Sequence, residues 1–309
     1  MSDISPTDSK NIPSNSEDKA ITDAPSNSTV NENPLSSSNS EKLGSTVSNQ
    51  NIQDNLNINP KESEEKSEKG KEKEISKSNG KYMVEQLDGP VVVPKGYTTD
   101  DEDEYNAIQI LNQDKKDFKP QVDKDNIKIS SKLFKIINDE GKEVDNIMFF
   151  TDATVNFPAS LVNKQLNTFS LRQKWDISYE QGKLIKEENL PGDIDVIDYY
   201  SYLKMPFIFY DRDFVLRNKT WNNYQGEKDC YLTHMKSIKH PDFPPKEKPV
   251  RGYYENFGCY IKPINDNQCK LYTIAKFDMK LSAPIFMMEG QGSSKQANFI
   301  KGFINYLGN

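Results

Sequence analysis

The chain has 309 residues, with 40 Lys and Arg against 47 Asp and Glu, for a net charge of −7. That balance, with no basic stripe carrying interleaved aromatics, argues against a nucleic-acid partner. No apolar run approaches the roughly eighteen residues that a bilayer-crossing helix needs, and three cysteines without CxxC spacing offer neither a disulfide framework nor a zinc site.

Composition then divides the chain. No Phe, Tyr, Trp, His or Cys occurs before Tyr82. The first eighty residues are Ser, Asn, Lys, Glu and Asp with scattered Pro, too polar to bury the apolar surface that would offset chain entropy. Disorder is expected over 1–80, its mixed-charge end Lys61–Lys77 acting as a solvated tether. Residues 81–309 are expected to fold as one domain, long enough for a large core. Near its start, Thr98–Glu104 (TTDDEDE) reads as a solvated acidic loop.

From Asn146 onward short strand patterns alternate with turn signals. Ile147–Val155 reads as a strand. Pro158 stands where a helix would begin, and Ala159–Trp175 has helical spacing through Leu161, Val162, Leu166 and Phe169. Strands are expected near Lys183–Glu188, Asp195–Leu203, Asp213–Asn222, Cys230–Ile238, Arg251–Ile264 and Cys269–Met279. After Pro284, Lys295–Leu307 places Ala297, Ile300, Phe303, Ile304 and Leu307 at helical spacing, an amphipathic lid for an apolar sheet face. The sum is an α+β domain of mostly antiparallel strands.

Strict alternation assigns the faces. In Arg251–Ile261 the more apolar face holds Tyr253, Phe257, Cys259 and Ile261, but with Glu255 in its middle. The matching stripes are Ile197, Tyr199, Ser201 and Leu203, then Phe214 and Leu216.

The landmarks come in order: Arg172, Trp175 and Asp176; the hydrophobic run Met205-Pro-Phe-Ile-Phe-Tyr210 leading into Arg212-Asp213-Phe214-Val215; then His240-Pro-Asp-Phe-Pro-Pro245 and Val250-Arg251-Gly252-Tyr253. In that order and spacing the chain resembles a START (StAR-related lipid transfer) domain across Lys81–Asn309. The resemblance implies a helix-grip fold, a curved antiparallel sheet around a C-terminal helix enclosing a lipid tunnel. It implies a carrier moving a phospholipid between membranes, one lipid at a time.

Within the family the Arg172–Asp176 segment is most similar to the phosphatidylcholine-transfer branch, which implies that Arg172 pairs with the lipid phosphate while Asp176 holds Arg172. A guanidinium fork suits phosphate oxygens. The family's headgroup cage would fall on Ser201, Phe214 and Glu255, with Phe257 beside it. Only Phe214 of the three cage positions is aromatic, so broad headgroup selectivity is expected rather than strict choline recognition. Ile197, Tyr199, Leu203, Leu216, Tyr253 and Cys259 would line the tunnel. Phe207, Ile208, Phe209 and Tyr210 would form the gating loop and touch the membrane, and Ile300, Phe303, Ile304 and Leu307 the lid helix. Two departures stand out. The family pattern Asp-x-Lys-Gly reads Asp278-Met-Lys280-Leu281, and the chain's end soon after Leu307 suggests a shortened lid.

No G-x-S-x-G, P-loop or H-E-x-x-H motif occurs, so no catalytic residue, metal or cofactor is assigned and an enzyme is not expected. His234 and His240 read as structural. A lipid-sensing adaptor, or a sterol or ceramide ligand, remains the alternative. The expected partners are a phospholipid and, transiently, a membrane surface. The first thirty residues lack the apolar core of a signal peptide, so a cytoplasmic monomer is expected.

Overall fold

The computed structural model describes residues 77–78, 80–85, 88–179, 181–205, 209–281 and 283–309. The disorder expected before Lys81 therefore falls almost wholly outside the described residues, as do Phe207 and Ile208 of the gating loop.

A small antiparallel sheet comes first: β1 (Lys77–Ser78), β2 (Lys81–Met83) and β3 (Thr98–Thr99). Next is α1 (Glu102–Leu111), lying where the acidic run was read as a solvated loop. That reading is corrected. Asp101 caps the helix through the backbone amides of Asp103 and Glu104, and the acids of the first turn complement the helix dipole.

Ten strands form the main sheet: β4 (Lys119–Lys124), β5 (Ile127–Ile137), β6 (Glu143–Val155), β7 (Lys183–Leu190), β8 (Ile194–Leu203), β9 (Arg212–Trp221), β10 (Tyr231–Ser237), β11 (Val250–Arg251), β12 (Tyr253–Asn265) and β13 (Gln268–Asp278). The order is β4-β5-β6-β13-β12-β10-β9-β8-β7, antiparallel throughout, with the short β11 alongside β9 in parallel. The excursion from β6 to β7 carries α2 (Ala159–Asn167) and α3 (Phe169–Arg172). The single helix expected over Ala159–Trp175 is broken at Thr168, whose φ of −92° and ψ of 114° are extended. The last element, α4, spans Ile285–Leu307, 23 residues. It starts ten residues earlier than its spacing suggested.

The curved sheet is covered on both faces. Toward α4 and α2 lie Val162, Leu166, Ile261, Leu271, Ile300 and Phe303, continuous through Phe257 with Phe169, Tyr179, Ile197, Tyr199, Phe214 and Leu216. The opposite face packs Trp221, Leu232, Tyr260 and Ile274 against Ile108 and Leu111 of α1 and the preceding Val91 and Val93. Two glycines mark where helices come close. A Cβ on Gly258 of β12 would lie 2.8 Å from Leu111 Cγ, and one on Gly292 of α4 would lie 2.4 Å from Phe149 Cζ.

β12 departs from strict alternation. Its register against β13 shifts between Tyr254 and Asn256, a bulge at Glu255. Beyond the bulge Phe257, Cys259 and Ile261 face α4 as expected. Before it the faces exchange, so that Tyr254 points inward and packs with Phe214. Tyr253 is 51% exposed, and Glu255 is exposed and paired with Lys276 at 2.5 Å. Tyr253 is thus not a tunnel residue, nor is Glu255 part of a headgroup pocket.

Candidate lipid-binding site

The turn after α3 keeps Arg172 and Asp176 on one side, because the Asp176 amide donates to the Arg172 carbonyl at 2.9 Å. Arg172 Nε donates to Asp176 Oδ2 at 2.8 Å, with Asp176 only 4% exposed. Asp176 Oδ1 accepts from the amide and hydroxyl of Ser178, at 3.0 and 2.6 Å. Arg172 Nη1 donates to the Leu166 carbonyl, and Nη2 has no hydrogen-bond partner among the described residues. The guanidinium lies over the Tyr179 ring at 4.3 Å. Burial works against its charge, but the Asp176 carboxylate beside it outweighs that and holds its pKa above the ordinary value. The result is a permanently charged fork, braced on one side and with donors left over.

Aromatic rings surround this charge. Tyr179 and Tyr199 have centroids 5.0 Å apart and Phe169 and Tyr199 5.9 Å, while Phe214 meets Tyr254 edge-on at 5.3 Å. Burial raises Tyr179 to about 12, so the phenol stays neutral. Ser201 is buried, its hydroxyl donating to the Ser178 carbonyl. Of the expected tunnel set, Ile197, Tyr199 and Leu216 share this cluster and Leu203 packs on it; of the expected headgroup set, Phe214 belongs to it and Phe257 packs on it. Cys259 lies in the neighbouring cluster, where burial lifts its thiol to about 12, far from the reactive thiolate range.

On the lid, Ile300 and Phe303 are buried, and Ile304 and Leu307 pack beside them. Trp175 anchors α4 through Phe303, 4.7 Å between centroids. Glu289 of α4 accepts from Ser131 of β5 and Gln121 of β4, at 2.7 and 3.1 Å.

A family model described as START domain matches residues 119–309. The chain belongs to the START domain family. START domain-containing protein 10 of Mus musculus and that of Homo sapiens are each 27% identical to it over 127 residues, 41% of this chain. The match spans 41% of the length of those relatives. The crystal structure of human STARD10 superposes with a TM-score of 0.52 at 17% identity, covering 70% of this chain and 80% of that one. This likeness establishes the helix-grip START fold.

The segment expected to form the gating loop follows β8. Of its expected contacts, Phe209 is half-buried and Tyr210 is 58% exposed. Lys248 Nζ lies 4.3 Å from the Tyr210 ring, and a cavity of about 310 Å³ opens between Tyr202, Phe209, Tyr210, Asp211, Lys248 and Pro249. Arg212, buried, closes the loop's base. It donates to the carbonyls of Tyr210, Met279 and Lys280, tying the end of the segment after β8 to the one that leads into α4. No role for Arg212, Tyr179 or Tyr254 was legible from the sequence. The signal for Tyr254 was the charge of Glu255 within an otherwise apolar stripe.

Among the described residues no helix is long and apolar enough to cross a membrane. His234, on the α1 side, meets Asp103 Oδ1 at 3.1 Å and Asn256 Oδ1 at 3.0 Å.

Proposed function

We propose that this START protein carries one phospholipid at a time between membranes, its phosphate held by Arg172. The supporting observation is the Arg172–Asp176 pair: a half-buried charge fixed by a buried carboxylate, with guanidinium donors uncommitted and aromatic rings around it. Withdrawing a cation even partly from water is costly unless it serves structure or a ligand, and a lipid phosphate inside the domain fits its fork. The headgroup would lie against Phe214 and Tyr254. With Glu255 outside, the argument for tolerance of many headgroups loses its carboxylate. The added ring face of Tyr254 favours a choline-bearing headgroup among those carried.

The energetics favour a shuttle that docks. Each methylene transferred to water costs about 0.8 kcal/mol. A lipid with about thirty methylenes thus faces a barrier on the order of 20 kcal/mol through water, which an apolar interior removes. Tyr210, with Lys248 beside it, would touch the membrane as the gate opens.

Native mass spectrometry with lipid extraction on wild type and Arg172→Ala tests this reading. Glycerophospholipid that co-purifies with wild type and falls at least tenfold in the variant is the expected result. Sterol or ceramide held equally by both would overturn it. Vesicle transfer of choline, ethanolamine and inositol lipids then reports selectivity, and stable binding without transfer would favour a lipid sensor.

A further inference from the structure

Polar side chains interrupt the apolar wall next to Arg172. Asn218 of β9 lies in register with Ile197 of β8 and Met235 of β10, on the face turned toward α2 and α4. Thr220 and Thr233, one step along, share a hydrogen bond of 3.0 Å. From α2, Asn167 Oδ1 accepts from Asn218 Nδ2 at 3.0 Å, while Asn167 Nδ2 donates to Asn163 at 2.6 Å and reaches Thr233 at 3.4 Å. Asn218 is 4% exposed. Its Nδ2 end is thus anchored, and its Oδ1 accepts no hydrogen bond from any described residue. An acceptor buried without a donor destabilises the fold that holds it. It lies close to the phosphate-holding charge, since Arg172 donates to the carbonyl of Leu166, the residue before Asn167.

We infer that Asn218 is a specificity residue whose Oδ1 accepts a hydrogen bond from the backbone of the bound lipid, from a free hydroxyl or an amide N–H close to the phosphate. This rests on the phospholipid reading and narrows it. A fully esterified glycerol presents only acceptors at that point, and would leave Oδ1 unpaired. A lysophospholipid offers its glycerol hydroxyl there, and a sphingoid phospholipid its amide and hydroxyl. The polar wall therefore selects for lipids that carry a donor.

The test is displacement of a fluorescent phospholipid from the full chain by two matched pairs. One is 1-alkyl-2-hydroxy-glycerophosphocholine against its 2-methoxy ether, which differ by a single donor. The other is sphingomyelin against diacyl phosphatidylcholine of equal chain length. Wild type should prefer the donor-bearing member about fivefold, the ratio expected of one neutral hydrogen bond. A preference confined to the first pair identifies a hydroxyl, and one confined to the second an amide. Asn218→Leu should bring the ratio within each pair to about one. Equal binding within both pairs by wild type, or a preference that survives in folded Asn218→Leu, would overturn the inference. If that variant does not fold, the wild-type ratios decide. Arg172→Ala keeps the two ideas separable: unchanged affinity for every lipid refutes the phosphate reading, whereas the ratios within pairs report on Asn218.

Discussion

Asp103 shows how much one side chain of the acidic run carries. Burial alone would raise its pKa, but hydrogen bonds from His234 and from Lys236, the latter at 2.5 Å, overcome that and hold the carboxyl well below its usual range. The folded state therefore keeps this group ionised at a pH where the unfolded chain protonates it. Its stabilisation is complete above the unfolded value of about 4 and is lost as pH falls below it. Asp103→Asn should lower unfolding free energy by about 2 kcal/mol at pH 7, the scale of hydrogen bonds to a charged group. The gap to wild type should close in acid. Urea titrations at pH 7 and pH 3 check this, and a gap that is constant with pH would assign the effect to packing. Glu104 next to it accepts from Tyr97 and Thr99 at 2.6 Å each and from Tyr224 at 2.8 Å. Composition alone made this run a solvated loop, because nothing local announces that Lys219, Lys236 and Tyr224, more than a hundred residues away, will surround it.

At the scale of elements, β6 to β10, β12 and β13 were legible because turn residues bound them and apolar side chains recur along them, whereas the two-residue β11 was merged with β12. β4 and β5 were not. Lys119–Lys124 has almost no apolar alternation and lies half-exposed at the sheet edge, and Ile127–Ile137 is dense in Lys and Ser. The bulge in β12 misled in a different way. Period-two logic propagates one error along a strand, and a single extra residue at Glu255 exchanged Tyr253 for Tyr254. The site was legible where it depends on helical spacing, at Arg172 and Asp176, and illegible where it depends on register. Paired substitutions measure the difference. Tyr254→Ala, removing a half-buried ring packed on Phe214, should cost about 2 kcal/mol and weaken lipid binding. Tyr253→Ala, at an exposed position, should stay within about 0.5 kcal/mol of wild type. The reverse order in thermal melts and lipid-binding titrations would place the bulge elsewhere.

On the scale of the whole molecule, the START match begins at residue 119, yet the fold does not. Trp221, Leu232, Tyr260 and Ile274 are START residues whose cover is α1 and the valines before it. Ile108, Ile110, Leu111 and Val91 are each no more than 2% exposed. At about 2 kcal/mol per buried side chain, these four contribute on the order of 8 kcal/mol, comparable to the whole stability of a typical domain, 5–15 kcal/mol. Ion pairs hold the same cover in place, Asp101 with Lys219 and Asp103 with Lys236. A fragment of residues 119–309 should therefore bind a hydrophobic dye and lose its cooperative melt, whereas residues 77–309 should melt like the full chain. Differential scanning fluorimetry of the three proteins separates the outcomes. If the shorter fragment melts cooperatively within about 4 °C of the full chain, a difference of about 1 kcal/mol at this size, then α1 is a surface addition. If it does not, the sheet needs both of its covers: α4 over the face that would hold lipid, and α1 over the face that holds the sheet in shape.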